Sequence, residues 1–261
     1  MRILFIADIF GAPGRRIVEQ RLPGLRDELA LDLVVANGEN AADGVGITSR
    51  IGKRLLGVGV DAITLGNHAH RQREVYPYLN TEPRIVRPAN LPAASPGRGE
   101  TVVRAADGTD VTVINLLGRM HLEPAVSPFE AGPALVEAAR LRTPVVLVDF
   151  HAEVTSEKVA MGRLLDGSAT AVIGTHTHIQ TNDPTVLPGG TAYLTDAGMT
   201  GPHDSVIGVR ADVILARFTT GLPSRFEPAE DDVRIEGAVI ECGSDGRATS
   251  IETFRLRESE S

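Results

Sequence analysis

The chain has 261 residues and a formal net charge of −8, with 42% hydrophobic and 23% charged residues. This composition is typical of a globular protein that folds without a disulfide or a structural metal, and its acidity argues against a general binder of duplex DNA. The single cysteine, Cys242, excludes a disulfide framework and a cysteine-rich zinc site. No signal peptide and no bilayer-spanning apolar run is recognisable, so we expect a cytoplasmic protein without a membrane partner.

Short apolar runs alternate with longer mixed segments over the first two thirds of the chain, a pattern that predicts βαβ units and a largely parallel sheet. The predicted strands are RILFIAD, LDLVVANGEN, DAITLGNH, VTVINLLG, TPVVLVDFHAE and TAVIGTHTH. Helices are predicted over residues 15–30, 48–56, 70–79, 133–141 and 156–165. Thr48 is the expected N-cap of the second helix, because apolar residues follow it at helical spacing.

The segment 82–99 contains four prolines, which predicts an ordered surface loop rather than a helix or a central strand. In the last third, TAYLTDAG, ADVILARF, VRIEGAVIECG and RATSIETFRLR are strand-like, and SDG between the last two predicts a hairpin. We expect Cys242 to pack within one of these strands. No linker is evident, so we predict that residues 1–261 form one domain with two sheets.

Polar side chains that can bind metal follow five of the predicted strands. Alone, each has an ordinary explanation, such as a turn or a helix cap, but the recurrence favours one shared site. Ligand sites of open α/β sheets form at the carboxyl ends of the strands. Imidazole with carboxylate and amide oxygen suits divalent transition metals. In chain order the residues are Asp8; Glu39 and Asn40; Asn67 and His68; Asp149 and His151; and His176 and His178.

His176 and His178 are separated by one residue at the end of the last of these strands. On an extended chain, such residues face the same way, roughly 6.5 Å apart. Paired catalytic metals lie about 3.5–4 Å apart. We therefore expect each histidine to reach a different metal, with Glu39 as the bridging carboxylate.

The other histidines are weaker candidates for a functional role. His70 is predicted to be solvated at the start of a helix. His121 lies in a proline-bounded loop, and its role stays open. His203 lies in a glycine-rich loop that can line a site.

The order of these motifs resembles the calcineurin-like metallophosphoesterases. The matching stretches are ADIF, NGEN, LGNH, DFHAE and GTHTH, between Asp8 and His178. Two positions depart from the superfamily pattern: Phe10 replaces a metal-binding histidine, and Glu39 replaces an aspartate. Asn40 is the expected substitute ligand. With these departures, GENAADGVGIT, VDFHAEVTSEK and TDAGMTGPHDSVIG resemble the bacterial YmdB branch, over most of the chain.

The resemblance implies an α/β fold, a four-layer αββα sandwich with two mixed sheets flanked by helices. It also implies two metal ions, iron or manganese with zinc as a further candidate, and phosphodiesterase activity on 2′,3′-cyclic nucleotides. A hydroxide bridging the metals would attack phosphorus, His68 would be the general acid, and Asp149 would support His151. Carried over by position, one metal is held by Asp8, Glu39, Asn40 and His178, and the other by Glu39, Asn67, His151 and His176.

Several alternatives stay open at this level. One is a phosphomonoesterase or nucleotidase of the same fold, and another is a regulator that binds a nucleotide or a partner without catalysis. A TIM-barrel amidohydrolase also uses a His-x-His motif, but normally on its first strand. The sequence does not separate small cyclic nucleotides from RNA ends or other phosphodiesters as substrates, and it leaves a homo-oligomer open.

Overall fold

The computed structural model describes residues 1–259, which form fourteen strands and six α-helices. The strands are β1 (Arg2–Ile6), β2 (Asp8–Ile9), β3 (Leu33–Asn37), β4 (Ala62–Thr64), β5 (Ile85–Val86), β6 (Glu100–Arg104), β7 (Asp110–Leu117), β8 (Val145–His151), β9 (Ala171–Thr175), β10 (Thr185–Val186), β11 (Ala192–Leu194), β12 (Met199–Pro202), β13 (Val233–Cys242) and β14 (Ala248–Arg257). The helices are α1 (Gly11–Glu28), α2 (Ser49–Gly57), α3 (Tyr76–Thr81), α4 (Pro128–Arg140), α5 (Thr155–Leu164) and α6 (Ala211–Thr220).

The strands form two mixed sheets. Sheet 1 has the order β2-β12-β13-β1-β3-β4-β5, with β14 also paired to β13. Its β1, β3, β4 and β5 are parallel, whereas β13 is antiparallel to β1. Sheet 2 has the order β10-β11-β9-β8-β7-β6, and β11, β9, β8 and β7 are parallel. Strands near both ends of the chain, β1 and β13, therefore pair in one sheet.

Alternating side chains of β1 face two different hydrophobic cores. Ile3 and Phe5 pack in the core between the two sheets, with Leu147 of β8. Leu4 and Ile6 pack in the core between sheet 1 and helices α1 and α2. A third core joins the outer face of sheet 2 to α4 and α5. This arrangement of helix, sheet, sheet and helix layers confirms the predicted αββα sandwich.

The prediction of a strand at ADVILARF is wrong, because this segment lies in helix α6. Its apolar residues suit a helix face as well as an alternating strand, so the pattern was ambiguous. Gly221 ends the helix in a left-handed conformation, with φ 71°, which is a common way for a helix to stop. Only Ile214 of α6 is buried, and Leu215 and Phe218 are exposed.

The remaining differences concern boundaries. The helix predicted from residue 133 begins at Pro128, and the helix predicted from residue 70 is replaced by a 3₁₀ turn at Arg73–Val75 and by α3. The predicted loop at 82–99 contains the two-residue edge strand β5. Thr48 caps α2 as predicted, since its hydroxyl accepts a hydrogen bond from the Ile51 amide, and Cys242 is buried in β13.

Within residues 1–259, no helix combines the length and apolar character that a membrane span requires.

Candidate metal centre

The structure brings the eight predicted site residues together where strands of both sheets end. Asp8 begins β2, His151 ends β8, and the others follow β3, β4 and β9 within a few residues. Sheet 1 supplies five of these residues, up to His68, and sheet 2 supplies the other three, His151, His176 and His178. The side chains of this centre are Asp8, Glu39, Asn40, Asn67, His68, His151, His176 and His178.

The first half of the centre surrounds the fully buried His151. Its Nε2 lies 3.0 Å from Glu39 Oε1, 3.0 Å from Asn67 Oδ1 and 3.0 Å from His176 Nδ1. The donor atoms of Glu39, His151 and His176 all lie within 4.8 Å of one another, close enough to share one ion. Gly66 permits this approach, because a β-carbon there would collide with both Glu39 and His151.

Hydrogen bonds on the outer side of each ring fix which nitrogen faces this cluster. His151 Nδ1 donates to Thr175 Oγ1 (2.9 Å), and the Thr175 hydroxyl donates to Asp149 Oδ1 (2.6 Å). His176 Nε2 lies 3.0 Å from Glu153 Oε2, so this nitrogen donates outward. When the rings are neutral, their inward nitrogens are left with lone pairs, which is the tautomer that binds a metal.

The second half of the centre contains Asp8, Asn40 and His178. His178 Nδ1 donates to the Ile207 carbonyl (2.9 Å), so in the neutral ring Nε2 carries the lone pair, and this atom lies 3.7 Å from Asp8 Oδ1. The amide nitrogen of Asn40 lies between His178 Nε2 (3.1 Å), Asp8 Oδ1 (3.4 Å) and Glu39 Oε1 (3.2 Å). A 180° rotation of this amide places its carbonyl oxygen among the same three atoms.

The donor set fits a cation. Lone pairs of His151, His176, Glu39 and Asn67 converge in a buried space, and lone pairs at 3.0 Å repel one another unless a proton or a metal lies between them. Burial works against a charge on His151, but the Glu39 carboxylate outweighs it and raises the pKa of His151 to about 9. Burial and the neighbouring His151 lower the pKa of His176 to about 3. The metal-free chain thus holds one proton where a metal would bind, and metal binding must displace it.

His68 lies beside this centre. Its backbone amide donates to Glu39 Oε2 (3.0 Å), and its Nδ1 lies 2.8 Å from Asn40 Oδ1. If the Asn40 amide turns its oxygen toward the ligands, its NH₂ donates to His68 Nδ1 and leaves the ring proton on Nε2. Burial lowers the pKa of His68 from 6.5, while the Glu39 carboxylate opposes this shift.

The loop that carries His176 and His178 departs from the extended geometry expected from the sequence. Strand β9 ends at Thr175, and both histidines have positive φ angles, 102° and 64°. Both histidines lie among the candidate ligands, but the predicted reason, alternation along a strand, is wrong. A buried ion pair holds the loop instead: Asp196 Oδ2 accepts hydrogen bonds from the amide and hydroxyl of Thr177 (3.1 and 2.7 Å) and lies 2.6 Å from Lys158 Nζ.

A cavity of about 360 Å³ opens over the centre. Phe10 lines it and packs edge-to-face against His178, with the ring centroids 5.6 Å apart. Among the described residues that line this cavity, none is a lysine or an arginine, whereas Asp43 and Glu153 add negative charge. The lining residues are Phe10, Glu39, Asn40, Asp43, Gly44, Val45, His68, Glu153, His176, Thr177, His178, Ile207, Val209, Phe226 and Pro228.

Three other histidines lie away from the cavity. His70 is half-buried rather than solvated, since its Nε2 lies 2.9 Å from the Pro96 carbonyl and Tyr76 packs against its ring. His121 is exposed in a loop. His203, considered above as a lining residue, instead directs its Nε2 toward the Met199 carbonyl (3.1 Å).

Sequence reasoning missed several supporting residues. Asp149 was expected to support His151, and it does so only through Thr175, which reads as an ordinary β-strand residue. The sequence gives one indication that Glu153 lies near the centre, because it follows His151 by two residues in the DFHAE stretch. No sequence pattern links Lys158 to Asp196, because the two residues are far apart in sequence and come into contact only in the folded chain.

The sequence profile of the YmdB-like protein family matches residues 4–254. The chain belongs to the YmdB-like family. The branch that the motifs predicted is thereby confirmed. Over 241 residues, this YmdB-like chain is 48% identical to a Bacillus subtilis protein named 2′,3′-cyclic-nucleotide 2′-phosphodiesterase, in an alignment that covers 92% of this chain and 91% of that protein.

Two crystal structures have nearly the same fold as this YmdB-like chain. A protein of Thermus thermophilus is 43% identical with a TM-score of 0.92, over 99% of this chain and all of the other. A protein of Mycoplasma pneumoniae, described as a novel phosphatase, is 31% identical with a TM-score of 0.91, over 100% of this chain and 94% of the other.

Proposed function

We propose that this YmdB-like chain is a metal-dependent phosphodiesterase that hydrolyses 2′,3′-cyclic nucleotides. The observation that carries the proposal is the convergence of histidine nitrogens and a carboxylate oxygen around the buried His151, next to the cavity that Glu39 and His176 line. The name of the Bacillus subtilis relative supports the substrate. The name of the Mycoplasma pneumoniae protein supports the broader class of phosphate-ester hydrolase.

The proposed ligand sets follow the two halves of the centre. Glu39, Asn67, His151 and His176 would hold one ion, and Asp8, Glu39, Asn40 and His178 would hold the other. Imidazole and oxygen ligands without a thiolate suit iron or manganese, and zinc is a further candidate. When bound, the ions would polarise the phosphate and lower the pKa of a water molecule.

The charge of the ligand set suits an anionic substrate. Asp8 and Glu39 are the carboxylates, and the five other proposed ligands are neutral when they bind metal. Two divalent ions would therefore keep about two positive charges beyond those that the carboxylates cancel. Because the lining residues include no lysine or arginine, this charge is what would attract a phosphate into the cavity.

The remaining acidic groups favour a diester over a monoester. Asp43 and Glu153 line the cavity, and both repel a dianionic phosphomonoester more strongly than a monoanionic phosphodiester. Ring opening converts the monoanionic cyclic ester into a monoester, so the same carboxylates would also promote product release. A phosphomonoesterase, the main alternative of this fold, is disfavoured by this arrangement.

His68 is the proposed general acid. It reaches the cavity lining, and its Nδ1 is held by Asn40, so Nε2 is the nitrogen left to donate a proton to the leaving ribose oxygen. Water supplies the oxygen that joins phosphorus and releases a proton, the bond from phosphorus to one ribose oxygen breaks, and that oxygen takes a proton from His68. The proton released by water then restores His68. A nucleoside monophosphate with a free neighbouring hydroxyl is released.

The test begins with removal of bound metal by a chelator and reloading with Mn²⁺ or Fe²⁺. We expect two ions per chain, and activity on 2′,3′-cyclic nucleotides well above that on 3′,5′-cyclic nucleotides and on phosphomonoesters. Full activity with one ion per chain would contradict the paired centre. A preference for phosphomonoesters would replace the diesterase with the alternative hydrolase.

Three finer points belong to the same proposal. The cavity volume lies at the low end of the range of small-molecule sites and suits one nucleotide. An RNA chain with a terminal 2′,3′-cyclic phosphate would have to extend past the exposed rim of the cavity, and an oligonucleotide with such an end tests this directly.

The expected cytoplasmic location and an assembly into homo-oligomers are proposals that fractionation and light scattering would test.

A further inference from the structure

The cavity lining divides by chemistry into a polar floor and an apolar wall. The floor consists of His68 and four of the proposed ligands, Glu39, Asn40, His176 and His178. Three large apolar side chains of the wall are conspicuously exposed for their type: Val45 (39%), Ile207 (49%) and Phe226 (45%). They come from three different loops, yet they border one cavity. An apolar patch confined to the entrance of a polar site indicates a ligand that has a charged part and an apolar part.

Phe226 has a fixed neighbour that orients its ring. The guanidinium carbon of Arg217, on helix α6, lies 4.9 Å from the centre of the Phe226 ring, in cation–π geometry. The guanidinium covers one face of the ring. Because Phe226 also lines the cavity, the rest of the ring is presented to whatever occupies it. An aromatic face of this kind stacks on nucleobases regardless of their identity.

The wall offers little that could distinguish one base from another. Base edges are read by unpaired hydrogen-bonding side chains, above all arginine, asparagine and glutamine. Among the described lining residues, Asn40 is the sole member of that group, and it belongs to the proposed metal centre. Outside the candidate metal centre, three described polar side chains line the cavity, and each already has a partner: Glu153 with His176, Asp43 with Arg15, and Thr177 with Asp196.

We propose that Phe226, oriented by Arg217, is the stacking platform for the nucleobase of the substrate, and that the chain detects the presence of a base without reading its identity. This inference rests on the proposed function, because it places the base of a cyclic nucleotide whose phosphate lies at the metal centre. Purines expose a larger face than pyrimidines, so they stack more strongly, and all four bases are accepted.

The experiment compares the four 2′,3′-cyclic nucleotides with glycerol 1,2-cyclic phosphate, which has the same five-membered cyclic ester and no base. The metal-loaded protein is assayed for kcat and KM. A stacked base contributes about 5- to 150-fold in affinity, so we expect the nucleotides to exceed the glycerol ester in kcat/KM within that range. The four nucleotides should fall within about tenfold of one another, with the purines first.

The decisive variant is Phe226→Ala, and the matched control is Phe218→Ala. Phe218 is 78% exposed on helix α6 and does not line the cavity. Phe226→Ala should reduce the advantage of the nucleotides over the glycerol ester by at least about fivefold, mainly through KM. Phe226→Tyr should retain the advantage, and Phe218→Ala should leave both substrates unchanged.

Three results would overturn the inference: equal losses on nucleotides and glycerol ester in Phe226→Ala, the same loss in Phe218→Ala, or more than about 100-fold discrimination among bases. Failure of the proposed function is recognised separately. Hydrolysis of the glycerol ester with no hydrolysis of any cyclic nucleotide would contradict the substrate, and no hydrolysis of either would contradict the enzyme. Calorimetric binding of adenosine 3′-phosphate against glycerol phosphate tests Phe226 even then, since it requires no turnover.

Discussion

Replacing Thr175 by valine tests whether the outer hydrogen bonds of His151 prepare it to bind metal. Thr175 is fully buried at the end of β9. Its hydroxyl accepts from His151 Nδ1 and donates to Asp149 Oδ1. Valine keeps the shape of threonine and removes both hydrogen bonds. His151 is then free to carry its proton on Nε2, and in that tautomer it cannot be a ligand.

The expected magnitudes follow from these two contacts. Loss of an outer partner of a metal-binding histidine typically lowers metal affinity by about 10- to 100-fold. Each buried polar group left without a partner costs about 1–3 kcal/mol, so the free energy of unfolding should fall by about 2–6 kcal/mol. Thr175→Ser keeps the hydroxyl and should restore most of both properties.

Metal affinity is measured by competition with a fluorescent chelator, and stability by urea unfolding of the metal-free protein. Thr112→Val is the control, because Thr112 is a fully buried strand residue whose hydroxyl pairs with Thr143 at 2.7 Å. It is in register with Val146, at the opposite end of β8 from His151. It should lose stability and keep metal affinity. Wild-type affinity in Thr175→Val, or an equal loss in Thr112→Val, would refute the reasoning.

Four further outcomes are expected. The pKa of His151 is about 9 in the folded chain against 6.5 ordinarily, so the protonated ring stabilises the fold fully below pH 6.5. In urea unfolding, the free energy of unfolding of the metal-free protein should fall as the pH rises from 6.5 to 9. A fall on acidification through this range instead would contradict the prediction. His176→Ala should lose bound metal and His70→Ala should keep it, as metal analysis would show. His68→Ala should lose about 10²–10⁴-fold in kcat on a cyclic nucleotide and much less on a nitrophenyl ester, whose leaving group needs no proton; equal losses would remove the general-acid role. Asp43→Asn should raise the rate on phosphomonoesters relative to diesters, and an unchanged ratio would show that its charge does not select the substrate.

That these candidate ligands lie together could be predicted from the sequence, because parallel strands deliver their carboxyl ends to one edge. Each candidate, from Asp8 to His178, follows an apolar run that is readable as a buried strand. The prediction required only that the strands be parallel neighbours, not the details of their packing. The four-layer arrangement could be predicted only from the family resemblance. The sequence of β1 shows that both faces of this strand are apolar, but it does not show which elements cover them.

The supporting groups could not be predicted, because their roles depend on partners remote in sequence. Thr175 is a common β-strand residue, and its role is defined by Asp149, 26 positions away. Phe226 lies in a segment with no strong pattern, and it becomes a candidate platform only beside Arg217 and the cavity. The segment of helix α6 is mispredicted as a strand because its apolar residues suit an alternating strand as well as a helix face.

The pair His176 and His178 shows how two residues predicted to share a site can do so through a backbone geometry different from the predicted one. One intervening residue limits how far apart the two side chains can start, whatever the backbone conformation, so both can reach one centre. It does not set their directions. Positive φ angles at both positions are unfavourable for residues other than glycine, by about 1–3 kcal/mol each. They persist because Thr177, between them, is anchored by Asp196. Asp196 is in turn paired with Lys158 in a fully enclosed space, so the orientation of His176 and His178 depends on a buried charge pair on the far side of Thr177.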